Sequence, residues 1–409
     1  MTKYKYVRSL TLLLIALLLN ACSNTSEPVE LTDADRGKII ESEQTAEYNL
    51  AYIAALLSFA GENINIQPVY AVTAYRITYY TIDTDNNVVE ASGALYAPVK
   101  SDSSPLLGLQ HGTQSDRDLV ASVDPNIGLE GMIGTSLGYY SAEADYLGLG
   151  VSTLMHPYHH AKSSATCIID FLRAVRSFAA THNISLNDQI FLAGYSEGGF
   201  VTLAAHKEIE QNYSNEFQLT AVSAMAGAFN LEQTAIEIIQ SGTYTMPGFI
   251  TFMITAYNHV YCWNRLNDFF NEPYASQMNT LFNGTKSISQ INLQLTSDLS
   301  QLFKASFIQG ISNGTETTVL NAFRDNSLLN WTPVTPLLLV HGDADEYVPY
   351  SNSVTAFNTF TANGASVELI TIPGGTHSSS VIPAIISTMQ WFSAFSNQDI
   401  ILAKRDQNR

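Results

Sequence analysis

Phe191-Leu192-Ala193-Gly194-Tyr195-Ser196-Glu197-Gly198-Gly199 is the stretch whose reading decides the architecture of this chain. It follows an apolar run, Gln189 to Ala193, and opens an amphipathic one carrying Val201, Leu203, Ala204 and Ala205. A Gly-x-Ser-x-Gly match alone arises by chance roughly 0.1 times in a chain of this size, so its context carries the weight. A serine on a sharp strand-to-helix turn sits at strained dihedrals, and side chains beside it would crowd the strand and the helix. Gly194 and Gly198 leave that room, and Ser196 Oγ is pushed outward at a sheet edge. The pattern predicts Ser196 as a nucleophile, with the backbone amide of Glu197 poised to donate to an oxyanion.

Outward from the turn, short apolar runs alternate with amphipathic segments. The runs are 106–110, 142–147, 189–194, 219–225, 336–340 and 367–372, and the helices fall near 160–181, 197–211, 351–362 and 379–395. This alternation predicts an α/β fold with a mostly parallel central sheet and helices on both faces. Ahead of it, residues 37–60 are expected as one helix with Ile40, Leu50, Ile53 and Leu57 on one side. Residues 69–82 and 88–98, joined by Asp85-Asn86-Asn87, read as a hairpin. Residues 231–330 interrupt the alternation and predict an inserted helical cap over the sheet's carboxyl edge. The apolar run Met246 to Met253 is cut short by Asn258, His259 and Asn264, too early for a membrane span. Phe249 and Phe252 in the cap, with Tyr195 beside the nucleophile, are the expected substrate contacts.

An activated serine needs a base and an orienting acid, which follow it in this chain order. Leu337 to Val340 runs into His341-Gly342-Asp343-Ala344-Asp345-Glu346, which puts an acid-bearing loop at the end of a buried strand. Asp345 is the expected orienter, with Asp343 its rival and Glu346 a weaker one. The next strand ends in Pro373-Gly374-Gly375-Thr376-His377. Beyond His341 the chain has no other histidine, so His377 is the expected base. The second oxyanion donor is expected in Gln110-His111-Gly112-Thr113, at the Thr113 amide first and Gly112 second. His111 reads as a structural residue of that turn.

Composition narrows the function. The 409 residues are 46% hydrophobic and 14% charged, with 19 Lys plus Arg against 37 Asp plus Glu for a net charge of −18. Such acidity repels phosphate backbones, so nucleic acid is not an expected partner. Three cysteines without a CxxC pair exclude a disulfide-dense scaffold and a thiolate zinc module. His156, His159 and His160 cluster, but no Asp, Glu or Cys completes a ligand spacing, so neither metal nor cofactor is expected. A disulfide between Cys167 and Cys262 is compatible with an oxidising compartment, though nothing in the sequence brings the two within reach.

Residues 1–21 read as a leader, with Lys3, Lys5 and Arg8 ahead of the apolar run Leu10 to Leu19. Leu19-Asn20-Ala21-Cys22 resembles a bacterial lipobox, which implies lipidation of Cys22 and a cell-envelope location, at the outer membrane; an ordinary secretory signal with a chance cysteine, and a secreted protein, is the alternative. The expected organisation is a lipoprotein signal peptide (1–21), a polar tether and the start of the N-terminal helix (22–45), and the core (46–230). The cap (231–330), the second core segment (331–395) and a tail (396–409) follow.

Gln110-His111-Gly112-Thr113, Asp145-Tyr146-Leu147-Gly148-Leu149-Gly150, His156-Pro157-Tyr158, the serine turn and His341-Gly342-x-x-Asp345 occur together. Over roughly residues 66–395 the set resembles the fungal and bacterial secretory lipase family within the α/β-hydrolase fold. The resemblance implies a serine esterase or lipase with a helical cap inserted before the acid-bearing strand. Many members carry Gln where this chain has Glu197, and an acid there places charge near the oxyanion unless it points away or is protonated. The expected activity is hydrolysis of a small-molecule or lipid ester through an acyl-enzyme. The expected contact with a membrane is the lipid anchor alone. The rivals are a prolyl-oligopeptidase-like peptidase, a carbohydrate esterase and a surface binding protein on a vestigial hydrolase fold.

Overall fold

The computed structural model describes residues 32–60 and 67–396; the expected leader, Cys22 and most of the expected C-terminal tail lie outside them. The chain divides into residues 1–34 and a main body, residues 35–409. The body is built on nine strands: β1 (Ile39–Tyr48), β2 (Val72–Ile82), β3 (Val88–Pro98), β4 (Ser104–Gln110), β5 (Tyr140–Ala144), β6 (Leu186–Tyr195), β7 (Ala221–Met225), β8 (Leu337–Gly342) and β9 (Val367–Ile372). They lie in the order β1-β2-β3-β5-β4-β6-β7-β8-β9. The pairs from β1 to β3, and β3 with β5, are antiparallel, and every pair from β5 through β4 to β9 is parallel.

The parallel strands are apolar on both faces because both faces are covered. Along β6, Ile190 and Leu192 pack into one core while Phe191, Ala193 and Tyr195 pack into the other. β8 repeats this, with Leu337 and Leu339 on the first side and Leu338 and Val340 on the second. The first core takes helices Ala161–Thr181, Glu197–Asn212 and Ser351–Ala362. The second takes Leu50–Ala60, Leu129–Ser136 and Val381–Ser393. Burying one large apolar side chain contributes about 1.5–3 kcal/mol, and the many fully buried ones here hold the two layers onto the sheet.

The hairpin lies where the sequence puts it, with Val72 opposite Pro98 and Ile82 opposite Val88. The single helix expected over 37–60 is instead strand β1 followed by the helix Leu50–Ala60. Pairing with β2 at the sheet edge overrides helical periodicity. Register shifts between Ile39 and Glu41 and between Gln44 and Ala46 break the two-residue alternation that marks a strand. Helix Leu129–Ser136 was not expected from the sequence. The 231–330 interval is helical, with eight helices from Leu231–Ser241 to Thr317–Asp325. Among the described residues no helix is long and apolar enough to cross a membrane. Cys167 is buried and Cys262 exposed, both as free thiols, so the disulfide considered above is not formed.

Candidate active site

All the expected catalytic groups leave the carboxyl ends of the parallel strands, the edge where open α/β sheets place their ligands. β6 ends at Tyr195, and helix Glu197–Asn212 begins two residues later. Between them Ser196 has φ 62° and ψ −122°, a strained conformation. Its amide donates to Met225 O at 2.9 Å, tying the turn to β7. A Cβ on Gly194 would sit 2.4 Å from Gly198 O, and one on Gly198 only 1.9 Å from Gln110 O. Glycine is required at both positions by this close backbone approach.

β8 ends at Gly342 and β9 at Ile372, and the loops beyond them meet at Ser196. His377 Nε2 stands 2.9 Å from Ser196 Oγ, and His377 Nδ1 stands 2.6 Å from Asp345 Oδ2. The carboxylate takes the Nδ1 hydrogen, which leaves Nε2 as the acceptor facing the hydroxyl. Asp345 Oδ1 accepts from the amides of Tyr347 (2.9 Å) and Val348 (2.8 Å). His341 Nε2 lies 3.1 Å from Oδ2 as well, while its Nδ1 faces Ser353 Oγ at 2.8 Å. Burial alone would raise the Asp345 pKa, but hydrogen bonds from His341 and His377, the charge of His377 and the Val348 amide hold it well below the usual carboxylate range. The rivals lie elsewhere: Asp343 accepts the Gly374 amide at 2.6 Å, and Glu346 accepts the His377 amide at 3.0 Å.

His341 is the participant that sequence reasoning missed. It marked a strand end there, whereas here its ring reaches the same Asp345 oxygen that His377 does. Tyr195, expected to touch substrate, instead lies beneath His377: its hydroxyl donates to His377 O at 2.7 Å, and the rings are 5.2 Å apart. Strand alternation explains the difference, because Tyr195 shares the Phe191 face, away from the cap.

An apolar cavity adjoins Ser196, walled by Leu231, Ile238, Phe249, Ile250 and Met253 from the cap and its approach. Phe249 is therefore on the wall, as expected. Phe252 is one layer back, stacked between Tyr158 at 4.6 Å and Phe282 at 4.5 Å. Helical geometry separates the two: 249, 250 and 253 share a face that turns 252 away. Gly112 borders the serine, since a Cβ built on it would lie 3.9 Å from Ser196 Cβ. The Thr113 hydroxyl bonds Tyr158 OH at 2.8 Å, which fixes the loop. The Glu197 amide stands in the first turn of its helix, where backbone donors are unpaired.

The histidine cluster is engaged by protein groups. His156 bonds Leu147 O and Glu197, and His160 caps helix Ala161–Thr181. His159 packs between Tyr158 and Phe200, and burial brings its pKa down to about 4.

A mostly parallel sheet under a helical cap, with a serine on a strained strand-to-helix turn, defines the α/β-hydrolase fold, and the relatives that share it here make the protein an ester-hydrolysing enzyme. Residues 132–401 match the secretory lipase family model, and the chain belongs to that family. No curated protein sequence matches it. Among solved structures it is similar to the rice cell wall degrading esterase LipA of Xanthomonas oryzae, with 28% identity and a TM-score of 0.82 over 88% of this chain and 100% of that one. A putative hydrolase from Legionella pneumophila shares the fold at 24% identity and a TM-score of 0.83, covering 88% of this chain and 99% of its own. Candida antarctica lipase A in its closed state shares it at 16% identity and 0.65, covering 90% and 84%.

Proposed function

We propose that Ser196, His377 and Asp345 form a catalytic triad that hydrolyses a carboxylic ester with a hydrophobic acyl group. The observation that carries this is the chain of hydrogen bonds from Ser196 Oγ through His377 to Asp345, opening beside an apolar cavity. His377 Nε2 takes the Ser196 proton as Oγ attacks the carbonyl carbon, and Asp345 holds the ring in the tautomer this needs. The Glu197 amide and that of Thr113 or Gly112 stabilise the oxyanion. His377 then protonates the leaving alcohol, and water, activated by the same imidazole, releases the acid from the acyl-enzyme. Replacing Ser196 by Ala should abolish both turnover and fluorophosphonate labelling with the fold intact, as read by circular dichroism. Esterase activity surviving that change overturns the assignment.

A second reading, an ester carried on a polysaccharide, is supported by a groove of mixed character in which Tyr244 and Tyr347 stand beside Glu237, Ser241, Thr243 and Thr245. The Xanthomonas oryzae relative, an esterase that degrades the rice cell wall, points the same way. p-Nitrophenyl esters of rising chain length, run beside acetylated and feruloylated xylan, separate the readings: preference for long acyl chains supports the first. We also propose that the enzyme is held in the cell envelope through lipidated Cys22. Replacing Cys22 by Ala should move it from the membrane fraction to the soluble one.

A further inference from the structure

Glu197 follows the nucleophile directly, and its side chain is fully buried. Its Oε1 lies 2.8 Å from His156 Nε2, and its Oε2 has no partner among the described residues. The other ring nitrogen, His156 Nδ1, lies 2.8 Å from the carbonyl oxygen of Leu147. A carbonyl oxygen only accepts, so Nδ1 carries a hydrogen. One further proton must then lie between Nε2 and Oε1, because without it two lone pairs would face each other at 2.8 Å. Whichever atom holds that proton, the pair has no net charge.

The surroundings favour this arrangement. The His156 ring is parallel to that of Tyr146 at 6.0 Å, meets the Phe252 ring edge-on at 5.6 Å, and has Tyr158 at 5.9 Å. In such an apolar enclosure an isolated carboxylate with one oxygen unpartnered is expensive, whereas a carboxyl group sharing a proton with imidazole is not.

We propose that His156 is a positioning residue that keeps the pair it forms with Glu197 free of net charge through this shared proton, so that no uncompensated negative charge faces the oxyanion forming at Ser196. The inference rests on the reading of Ser196 as nucleophile and of the Glu197 amide as an oxyanion donor. An ionised Glu197 at that point would repel the tetrahedral intermediate, in which charge develops, and leave the uncharged ester little affected. Its loss therefore falls on kcat rather than KM.

The test is a double-mutant cycle of His156→Phe and Glu197→Gln on a p-nitrophenyl ester, followed from about pH 6 to 9.5 so that even a buried carboxyl group left without His156 is ionised at the alkaline end, where the cycle is read. With Glu197 present, His156→Phe should lower kcat about 30-fold, or about 2 kcal/mol of transition-state stabilisation, with KM changed less than about threefold. In the Glu197→Gln background, where no charge is stranded, the same change should cost less than about threefold. A merely structural His156 loses the same factor in both backgrounds, and a coupling below about threefold overturns the inference. If His156→Phe does not fold, His156→Gln takes its place in the cycle. Failure of the triad reading is distinct: the unmodified enzyme would then show neither turnover nor fluorophosphonate labelling at Ser196.

Discussion

Replacing Asp345 by Asn tests the site with little change of shape. In the native site Oδ1 accepts two backbone amides, and Oδ2 lies 2.6 Å from His377 Nδ1 and 3.1 Å from His341 Nε2. Asn keeps the first oxygen, and with it the loop, but puts an NH2 group where Oδ2 stood. That donor meets the Nδ1 hydrogen head-on, so the ring adopts the other tautomer and accepts at Nδ1. Nε2 then carries the hydrogen and no longer takes one from Ser196. Loss of the base tautomer lowers kcat about 10⁴-fold, or about 5 kcal/mol, with KM nearly unchanged. Folding loses both charge-assisted hydrogen bonds onto Oδ2, offset by the new amide-to-Nδ1 bond and by the Val348 carbonyl that His341 Nε2 already faces at 3.1 Å, for a net cost of about 2 kcal/mol. Steady-state hydrolysis of a p-nitrophenyl ester, with the melting temperature of each variant, gives both quantities. Asp343→Asn is the matched control, because the Asp343 carboxylate accepts the Gly374 amide rather than bonding the His377 ring, and it should keep kcat within about threefold. Asp345→Asn remaining within tenfold of the parent, or Asp343→Asn matching its loss, would refute the assignment.

The remaining predictions concern the pocket, the turn and acid stability. Met253→Phe narrows the apolar cavity and should shift kcat/KM toward short acyl chains by about tenfold, read on p-nitrophenyl acetate against the laurate. Gly198→Ala drives a methyl group into Gln110 O and should leave the protein insoluble or lower its melting temperature by more than about 10 °C. Burial would raise the Glu210 pKa, but hydrogen bonds from His206 and from the Thr335 and Val334 amides, with the His206 charge, bring it down to about 2. Since the folded value lies below the unfolded one, its stabilisation is complete above about pH 4.5 and is lost as the pH falls toward 2. Discounted for partial exposure, it is about 1 kcal/mol, so Glu210→Gln should lower the melting temperature by about 2 °C at neutral pH and not at all near pH 2, by differential scanning fluorimetry.

Local signals were the readable ones. The serine turn and the strand-and-helix alternation depend on residues adjacent in sequence, and those elements lie where they were expected, with Ser196, Asp345 and His377 each just beyond a strand end. What stayed hidden depended on direction or distance. Two bulges scramble the alternation of β1, so it read as helix. Tyr195 and Phe252 are near the site, but strand and helix geometry turn their rings away from the cavity. His341 and Asp345 share a carboxylate oxygen only because the loop between them curls back on itself. Glu197 finds His156 across the fold, a partnership that no local pattern announces.

The helical cap enters the chain after β7 and leaves it before β8, while Ser196, Asp345 and His377, the proposed triad, all follow strand ends. The groups proposed to cleave the ester and much of the wall that would meet its acyl chain thus lie in separate stretches of sequence, with Tyr158, His159, Tyr347 and Val348 of the core completing the cavity. A lineage can remodel the roof, lengthening, emptying or rewetting the chamber beneath it, without disturbing the machinery on the floor. Tailoring such an enzyme to a new ester is accordingly in large part a matter of rebuilding one contiguous insert.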